Sequence, residues 1–255
     1  MKRAGTLSVL FEDDWMIAFD KPSGLLVAPD RWDENRPNLM QMVHQDISPD
    51  YFNVHRLDRE TSGVLLCAKN RDALTTLCAL FESREVDKQY VAITRGAPPH
   101  DRGSISLALA DDPQQPGRMR VQESGKPSET RYEVTERWRG YTLVRALPLT
   151  GRTHQIRVHL AAIGCPIVAD SFYGDGRGLN LSEIKTGYKF KESRPERPLV
   201  GRLGLHAETL SLPHPRSGER VTIQSALPKD FTVAIRYLRR FAAFNPPGMA
   251  MPISG

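Results

Sequence analysis

His55-Arg56-Leu57-Asp58-Arg59-Glu60-Thr61-Ser62-Gly63 is a polar segment that opens directly onto the apolar run Val64-Leu65-Leu66-Cys67-Ala68. It sets one carboxylate, Asp58, between two arginines, Arg56 and Arg59. Opposite charge nearby favours the ionised form of a carboxyl group. An aspartate held in that form suits work as a nucleophile or base on an anionic, phosphate-bearing substrate. A solvated loop with a surface ion pair uses the same residue types, so Arg-x-Asp-Arg alone does not separate the two readings. The rest of the chain does.

Four further blocks follow one another around this stretch. Asp20-Lys21-Pro22-Ser23-Gly24-Leu25 precedes it; Lys88-Gln89-Tyr90-Val91-Ala92 with Gly96 comes next. Gly151-Arg152-Thr153-His154-Gln155-Ile156-Arg157-Val158-His159 follows, then Leu205-His206-Ala207 with His214-Pro215 and Gly218. Each short block is a weak signal by itself. As an ordered set, from about residue 8 to about residue 228, they resemble the RluA-type pseudouridine synthases, and His55 to Gly63 resembles that family's His-Arg-Leu-Asp-x-x-Thr-Ser-Gly motif without a mismatch.

That resemblance implies a cofactor-free, metal-free reaction. The N1–C1′ bond of a uridine breaks, the uracil turns, and C1′ is rejoined to C5. Asp58 is implied to be the carboxylate beside the ribose, either attacking C1′ or abstracting the 2′ proton to give a glycal. Arg157 is implied to pair with Asp58 and hold it ionised; Arg152 is assigned to phosphate. Tyr90 offers a ring to stack on uracil, and the resemblance adds help from its hydroxyl in removing the C5 proton. Leu205 is expected either to pack on the other face of the base or to belong to the core. Arg56 is expected to fill the space left by the target uridine, which must leave the stack before its base can turn. His55 is expected to support the loop rather than to donate a proton. Thr61, Ser62 and Gly63 are expected to fix the loop by local hydrogen bonds and a permissive backbone. His154 and His159 are assigned to structure.

Composition agrees with an RNA partner. The 255 residues carry a net charge of +5 and a pI near 9.2, a moderate basic excess that favours a polyanion. No run approaches the roughly 20 apolar residues of a membrane span, and Met1-Lys2-Arg3-Ala4-Gly5-Thr6 leads into no long apolar h-region. Cys67, Cys78 and Cys165 are odd in number and sit in apolar contexts, which points to buried thiols in a reducing cytoplasm. No metal-binding spacing, phosphate-binding glycine loop or dinucleotide fingerprint occurs. A monomer is the default expectation.

Strands are expected at Ser8–Phe11, Trp15–Phe19, Tyr90–Thr94, Ser128–Arg137, Tyr141–Leu147, Leu205–Leu212 and Arg220–Gln224. The Ser128–Arg137 and Tyr141–Leu147 pair reads as a hairpin around Arg139-Gly140. Helices are expected at Asn38 to about Gln45, at Asp72–Glu85 with Asn70 as cap, at Thr153–Ile163 with Thr153 as cap, and at Phe231–Phe241. On the third of these, His154, Arg157 and Ala161 share one face. Residues 100–128, rich in Gly, Pro, Asp and Arg, read as loops at a sheet edge. The sum is an α+β fold on a mostly antiparallel mixed sheet with flanking helices, and the resemblance adds a central RNA-binding cleft. A catalytic domain over 1–244 is expected, with a polar, basic insert at about 175–202 and a frayed tail at 245–255. The first expected strand begins so early that no N-terminal S4 RNA-binding domain is expected before it. The insert's Lys185, Lys189, Lys191, Arg194 and Arg197, with Tyr188 and Phe190 interleaved, suit an RNA clamp or a solvated loop equally. Two other functions compete: a non-catalytic RNA-binding protein on the same scaffold, and a glycosidase using a carboxylate pair. The first would suit a chain without Asp58 or Tyr90, and both are present. The second lacks a second acid in the matching blocks, although Glu60 lies close by.

Overall fold

The computed structural model describes residues 7–29, 36–189 and 195–243. The N-terminal hairpin forms as its alternation requires. β1 (Ser8–Glu12) and β2 (Met16–Lys21) are antiparallel, and the acidic turn closes because the Asp13 carboxylate accepts the amides of Trp15 and Met16 at 2.7 and 2.8 Å. α1 (Leu39–Asp46) starts at Asn38, whose side chain accepts the Gln41 amide at 2.9 Å. A short β3 (Phe52–Asn53) leads through the loop carrying Asp58 into β4 (Ser62–Ala68). α2 (Arg71–Glu82) is capped by Asn70 on the Ala73 amide at 2.8 Å.

After β5 (Asp87–Arg95) the chain departs from the sequence expectation. Residues 100–128 are not only loops: they hold β6 (Arg102–Ser106), β7 (Leu109–Asp111) and β8 (Met119–Val121). These strands are short and mostly exposed, so they carry little of the hydrophobic alternation by which a strand is recognised. β9 (Glu129–Trp138) and β10 (Tyr141–Pro148) form the expected hairpin, turning at Gly140 with φ +79°. α3 (Gln155–Ala162), α4 (Leu181–Ile184), β11 (Leu205–Pro213), β12 (Arg220–Gln224) and α5 (Lys229–Phe241) complete the chain.

Ten strands make one sheet in the order β1-β2-β4-β11-β5-β10-β9-β6, with β12 on β11 and β3 on β4; β7 and β8 pair as a separate ribbon. All pairings between these strands are antiparallel except β4 with β11, which run parallel over only two residue pairs, His206 with Ser62 and Ala207 with Gly63. The architecture is the mixed α+β one expected, a large, mostly antiparallel sheet with flanking helices.

The core divides by sheet face. Every residue of β4 is buried, as in a strand covered on both faces. Val64, Leu66 and Ala68 pack with α2, while Leu65 and Cys67 pack with α1. In the other half, Val91 and Ile93 of β5 face α5 and α4, while Ala92 faces α3. Tyr90 touches the α1 and α3 clusters together, so it stands where the two halves of the sheet meet on that face. The insert is not a simple surface loop: Leu179, Ile184 and Val200 are buried in the cluster beneath α5. Phe190, Lys191 and Arg194 lie outside the described residues, as does the 245–255 tail. Cys67 and Cys165 are buried free thiols, but Cys78 is half-exposed on α2. No helix among the described residues is long and apolar enough to cross a membrane.

Candidate active site

The short parallel contact between β4 and β11 dictates how the Asp58 loop enters the sheet. Gly63 has φ +113°, and a Cβ there would stand 2.1 Å from the carbonyl oxygen of Ala207. Only glycine permits both the backbone angle and the approach. Ser62, next to it, is held by partners distant in sequence rather than by the local bonds expected. Arg202 Nη1 donates to its Oγ at 3.0 Å, so the hydroxyl proton goes to His206 Nδ1, also at 3.0 Å. His206 Nε2 in turn meets the Ser225 carbonyl at 3.3 Å. Of the expected local bonds, the Thr61 amide donates to the Asp58 carbonyl at 3.1 Å, while Thr61 Oγ1 is buried without a protein partner.

A cleft of about 530 Å³ opens over this junction. His55, Arg56, Asp58 and Thr61 line it from the loop, Tyr90 from β5, Leu205 from β11, and Arg152, His154 and Arg157 from the start of α3. Of the expected site residues only Ser62 and Gly63 lie behind its wall. No described residue of the 175–202 insert lines it. Among the described residues no group of three or more His, Cys, Asp or Glu side chains is placed to hold a metal ion.

Asp58 is partly exposed, as a reacting carboxylate must be. Its charge partner is not either flanking arginine. Arg59 turns away to Glu60 at 2.6 Å, and Arg56 is exposed at the cleft. The contact comes from Arg157, whose Nη1 lies 3.4 Å from Asp58 Oδ2. Adjacent side chains in extended chain diverge, which parts Arg59 from Asp58; Arg56 is held out in the cleft instead.

Arg157 reaches Asp58 from a helix that begins differently from the expectation. Thr153 is not the cap. His154 occupies that position with φ 53° and makes no side-chain capping bond. The Gln155 side chain ties down the preceding turn, accepting the Thr150 hydroxyl at 2.7 Å and the Arg152 amide at 3.0 Å. Arg152 Nε meets the Pro127 carbonyl at 3.3 Å. Every residue of α3 from Gln155 to Leu160 is buried, so a one-faced helix pattern does not describe it. His159 is structural, between Thr130 at 2.9 Å and Ser128 at 3.0 Å.

His55 stacks on Phe81 with centroids 5.0 Å apart, and its Nε2 accepts the Leu66 amide at 3.0 Å. Burial, with Lys88 nearby, pushes its pKa down to about 3, so the ring is a neutral acceptor joining the loop to β4. Burial first, and the charge of Asp58 second, push the Tyr90 phenol above its usual range. Burial also lowers His154, against the pull of Asp58. The neighbourhood thus holds a carboxylate faced by a guanidinium, a neutral phenol ring and neutral imidazoles: a base or nucleophile beside an aromatic platform.

A family model described as RNA pseudouridylate synthase matches residues 15–162. The chain belongs to that family. It is 39% identical over 227 residues to the dual-specificity RNA pseudouridine synthase RluA of Escherichia coli O6:H1, covering 88% of this chain and 94% of that protein. It is 35% identical to the ribosomal large subunit pseudouridine synthase D of Xanthomonas campestris, covering 93% of this chain and 71% of that protein. Among solved structures, the human RNA pseudouridylate synthase domain containing 4 superposes with a TM-score of 0.68 at 27% identity, covering 91% and 93% of the two chains. This RluA-type pseudouridine synthase is an enzyme that acts on RNA, and a non-catalytic RNA-binding protein is not the favoured reading.

Several parts of the synthase site were not legible in its motifs. Asp170, fully buried, grips Arg157 with both oxygens, at 2.8 Å from Nε and 2.9 Å from Nη2. Burial opposes ionisation there, but the hydrogen bonds and charge of Arg157 and the amides of Phe172 and Tyr173 outweigh it and hold the Asp170 carboxyl below its usual value. Arg157 is correspondingly raised: burial is outweighed by Asp170 and then by Asp58. A lone acid after the apolar Ile167-Val168-Ala169 was the one available hint. Lys21 is the second omission. Its fully buried ammonium donates to the carbonyls of Pro22, Leu25 and Arg59 at 2.9, 2.7 and 2.9 Å, clamping the opening turn to the residue after Asp58. Burial lowers its pKa to about 8, against the charges of Glu60 and Asp58. His154, assigned to structure from sequence, stands at the site, its Nε2 3.9 Å from Asp58 Oδ1.

Proposed function

We propose that this synthase isomerises specific uridines of structured ribosomal or transfer RNA in the cytoplasm, acting as a monomer with no cofactor, and that Asp58 is its reacting carboxylate. The observation that carries this reading is the pairing of Asp58 with Arg157 on the wall of a cleft that also presents Tyr90. Ribosomal RNA is supported by a relative whose name specifies the large ribosomal subunit.

Entry of the uridine needs base flipping, because C1′ is out of reach inside a stack. Arg56, exposed at the cleft, fills the space the base leaves. Arg152, exposed in part beside the start of α3, meets phosphate. The Tyr90 ring supports uracil on one face, worth about 1–3 kcal/mol, and Leu205 packs on the other. Arg157, itself fixed by Asp170, faces Asp58 and aims it. Attack on C1′ and abstraction of the 2′ proton both ask for that same charged oxygen beside the ribose. Cleavage of N1–C1′ leaves uracil held between Tyr90 and Leu205, where it turns until C5 faces C1′. Once C5–C1′ has formed, the C5 proton must leave. The Tyr90 hydroxyl is neutral in the resting site, so stacking is its first task, and it takes up the C5 proton only in exchange for its own, which passes to solvent.

Pseudouridine positions in total RNA from cells with and without the gene, read as carbodiimide-dependent reverse-transcription stops, test this proposal. Loss of one or a few ribosomal or transfer RNA sites, restored by wild type and not by Asp58→Asn, is expected. An unchanged map in both RNA classes would overturn the assigned targets.

A further inference from the structure

His154 is one of three non-glycine residues with a left-handed backbone among the described residues, with Arg84 and Ala169. That conformation is disfavoured for an L-residue, and here it yields no helix cap. It does turn the imidazole into the cleft. His154 Nδ1 lies 2.8 Å from the Tyr173 hydroxyl oxygen, and that oxygen accepts the backbone amide of Met119 on β8, also at 2.8 Å. An amide can only donate. The phenol proton therefore points to its one described acceptor, His154 Nδ1, and the neutral imidazole carries its own proton on Nε2. Nε2 faces Asp58 Oδ1 at 3.9 Å, while Arg157 Nη1 faces Oδ2 at 3.4 Å. One buried carboxylate sets up both donors: Asp170 grips Arg157 and also accepts the amides of Phe172 and Tyr173 at 2.9 and 3.2 Å. The Arg157 guanidinium lies over both of those rings, 5.2 Å from each centroid.

We propose that His154 is a positioning residue for the reaction, its Nε2–H fixed by Tyr173 and Met119 to hold one oxygen of Asp58 while Arg157 holds the other. The proposal rests on the reading of Asp58 as the reacting carboxylate. The 3.9 Å gap is a resting distance, and contacts of this kind tighten when substrate fills the site. The ribbon of β7 and β8 becomes part of the active site through a single amide.

The test is single-turnover pseudouridine formation with enzyme in excess over ribosomal and transfer RNA from cells lacking the gene. Wild type is compared with Asp58→Asn, His154→Asn, Tyr173→Phe and the His154→Asn/Tyr173→Phe pair. Asparagine tolerates the left-handed backbone, and Tyr173→Phe leaves residue 154 untouched should the His154 variant not fold. His154→Asn and Tyr173→Phe should each slow the saturated rate about tenfold, the size of one charge-assisted hydrogen bond, with half-saturation unchanged. The double variant should be no slower than His154→Asn alone, because Tyr173 acts through His154. ¹⁵N-histidine spectra should show the Nε2–H tautomer in wild type, with the Nδ1 resonance shifted in Tyr173→Phe as its hydrogen bond is lost. A wild-type rate in either single variant, multiplied effects in the double variant, or an Nδ1–H tautomer in wild type would overturn the proposal. Undiminished turnover by Asp58→Asn would instead overturn the reading beneath it.

Discussion

Replacing Asp170 with asparagine removes a charge from the interior with almost no change of shape. The carboxylate is fully buried and accepts two bonds from Arg157, at 2.8 and 2.9 Å, and two from the amides of Phe172 and Tyr173. Arg157, 5% exposed, cannot move out to water and would be left with Asp58 at 3.4 Å as its nearest anion. Removing one partner of a buried ion pair costs about 3–5 kcal/mol. The asparagine oxygen and Asp58 soften this loss, so the lower figure, about 3 kcal/mol, is expected. For a chain of this size that is a fall in melting temperature of roughly 6–12 °C. The effect has a pH signature. The folded-state carboxyl is held below its ordinary value, so its stabilisation is present in full above the unfolded pKa of about 3.9 and is lost as pH falls through the lower folded value. Urea denaturation of both proteins from pH 3 to pH 8 should show a gap that is constant at neutral pH and shrinks below about pH 4. A gap under about 1 kcal/mol at pH 7, or one that does not change with acid, would refute the reasoning.

Gly63→Ala would set a Cβ against the Ala207 carbonyl at a φ that alanine avoids, so a loss of about 3 kcal/mol or more is expected in denaturant unfolding. Lys21→Met would take this donor from the carbonyls of Pro22 and Leu25 and leave the Arg59 carbonyl with the Gly24 amide alone. At about 1–3 kcal/mol for an unsatisfied buried group, it should lower both the melting temperature and the single-turnover rate, with RNA affinity nearly unchanged. Arg56→Ala should slow the fluorescence change of a base analogue placed beside the target uridine, while the initial, salt-dependent encounter is kept. Equal losses in both phases across salt concentrations would count against a separate role in flipping.

What the sequence disclosed was the set of residues whose type and local order are both constrained. The Asp58 loop, the Lys-x-Tyr strand and the start of α3 are contiguous strings, and the structure brings Asp58, Tyr90 and Arg157 to one cleft. Asn70 was readable as a cap because capping needs only the next three residues; Asn38, read as the first helical residue, caps its helix in the same way. The interactions that aim these side chains were not readable, because they span long separations. Ser62 meets His206, and Lys21 meets Arg59. His154 misled for a different reason: helical periodicity assumes a regular helix start, and its left-handed backbone sends the ring elsewhere. Thr153 failed as a cap at the same point. The 175–202 insert looked polar because its few apolar residues, Leu179, Ile184 and Val200, are widely spaced, yet these are the ones that pack beneath α5.

The central claim is that Asp58 drives an isomerisation in which nothing but the C5 proton leaves the RNA. Purified wild type and Asp58→Asn, incubated with ribosomal and transfer RNA from cells lacking the gene and labelled with tritium at uridine C5, test it directly. Tritium released to water by wild type without free uracil, and none released by an Asp58→Asn protein that still binds the RNA, is the expected result. Free uracil in the products, or tritium release by Asp58→Asn at the wild-type rate, would contradict it.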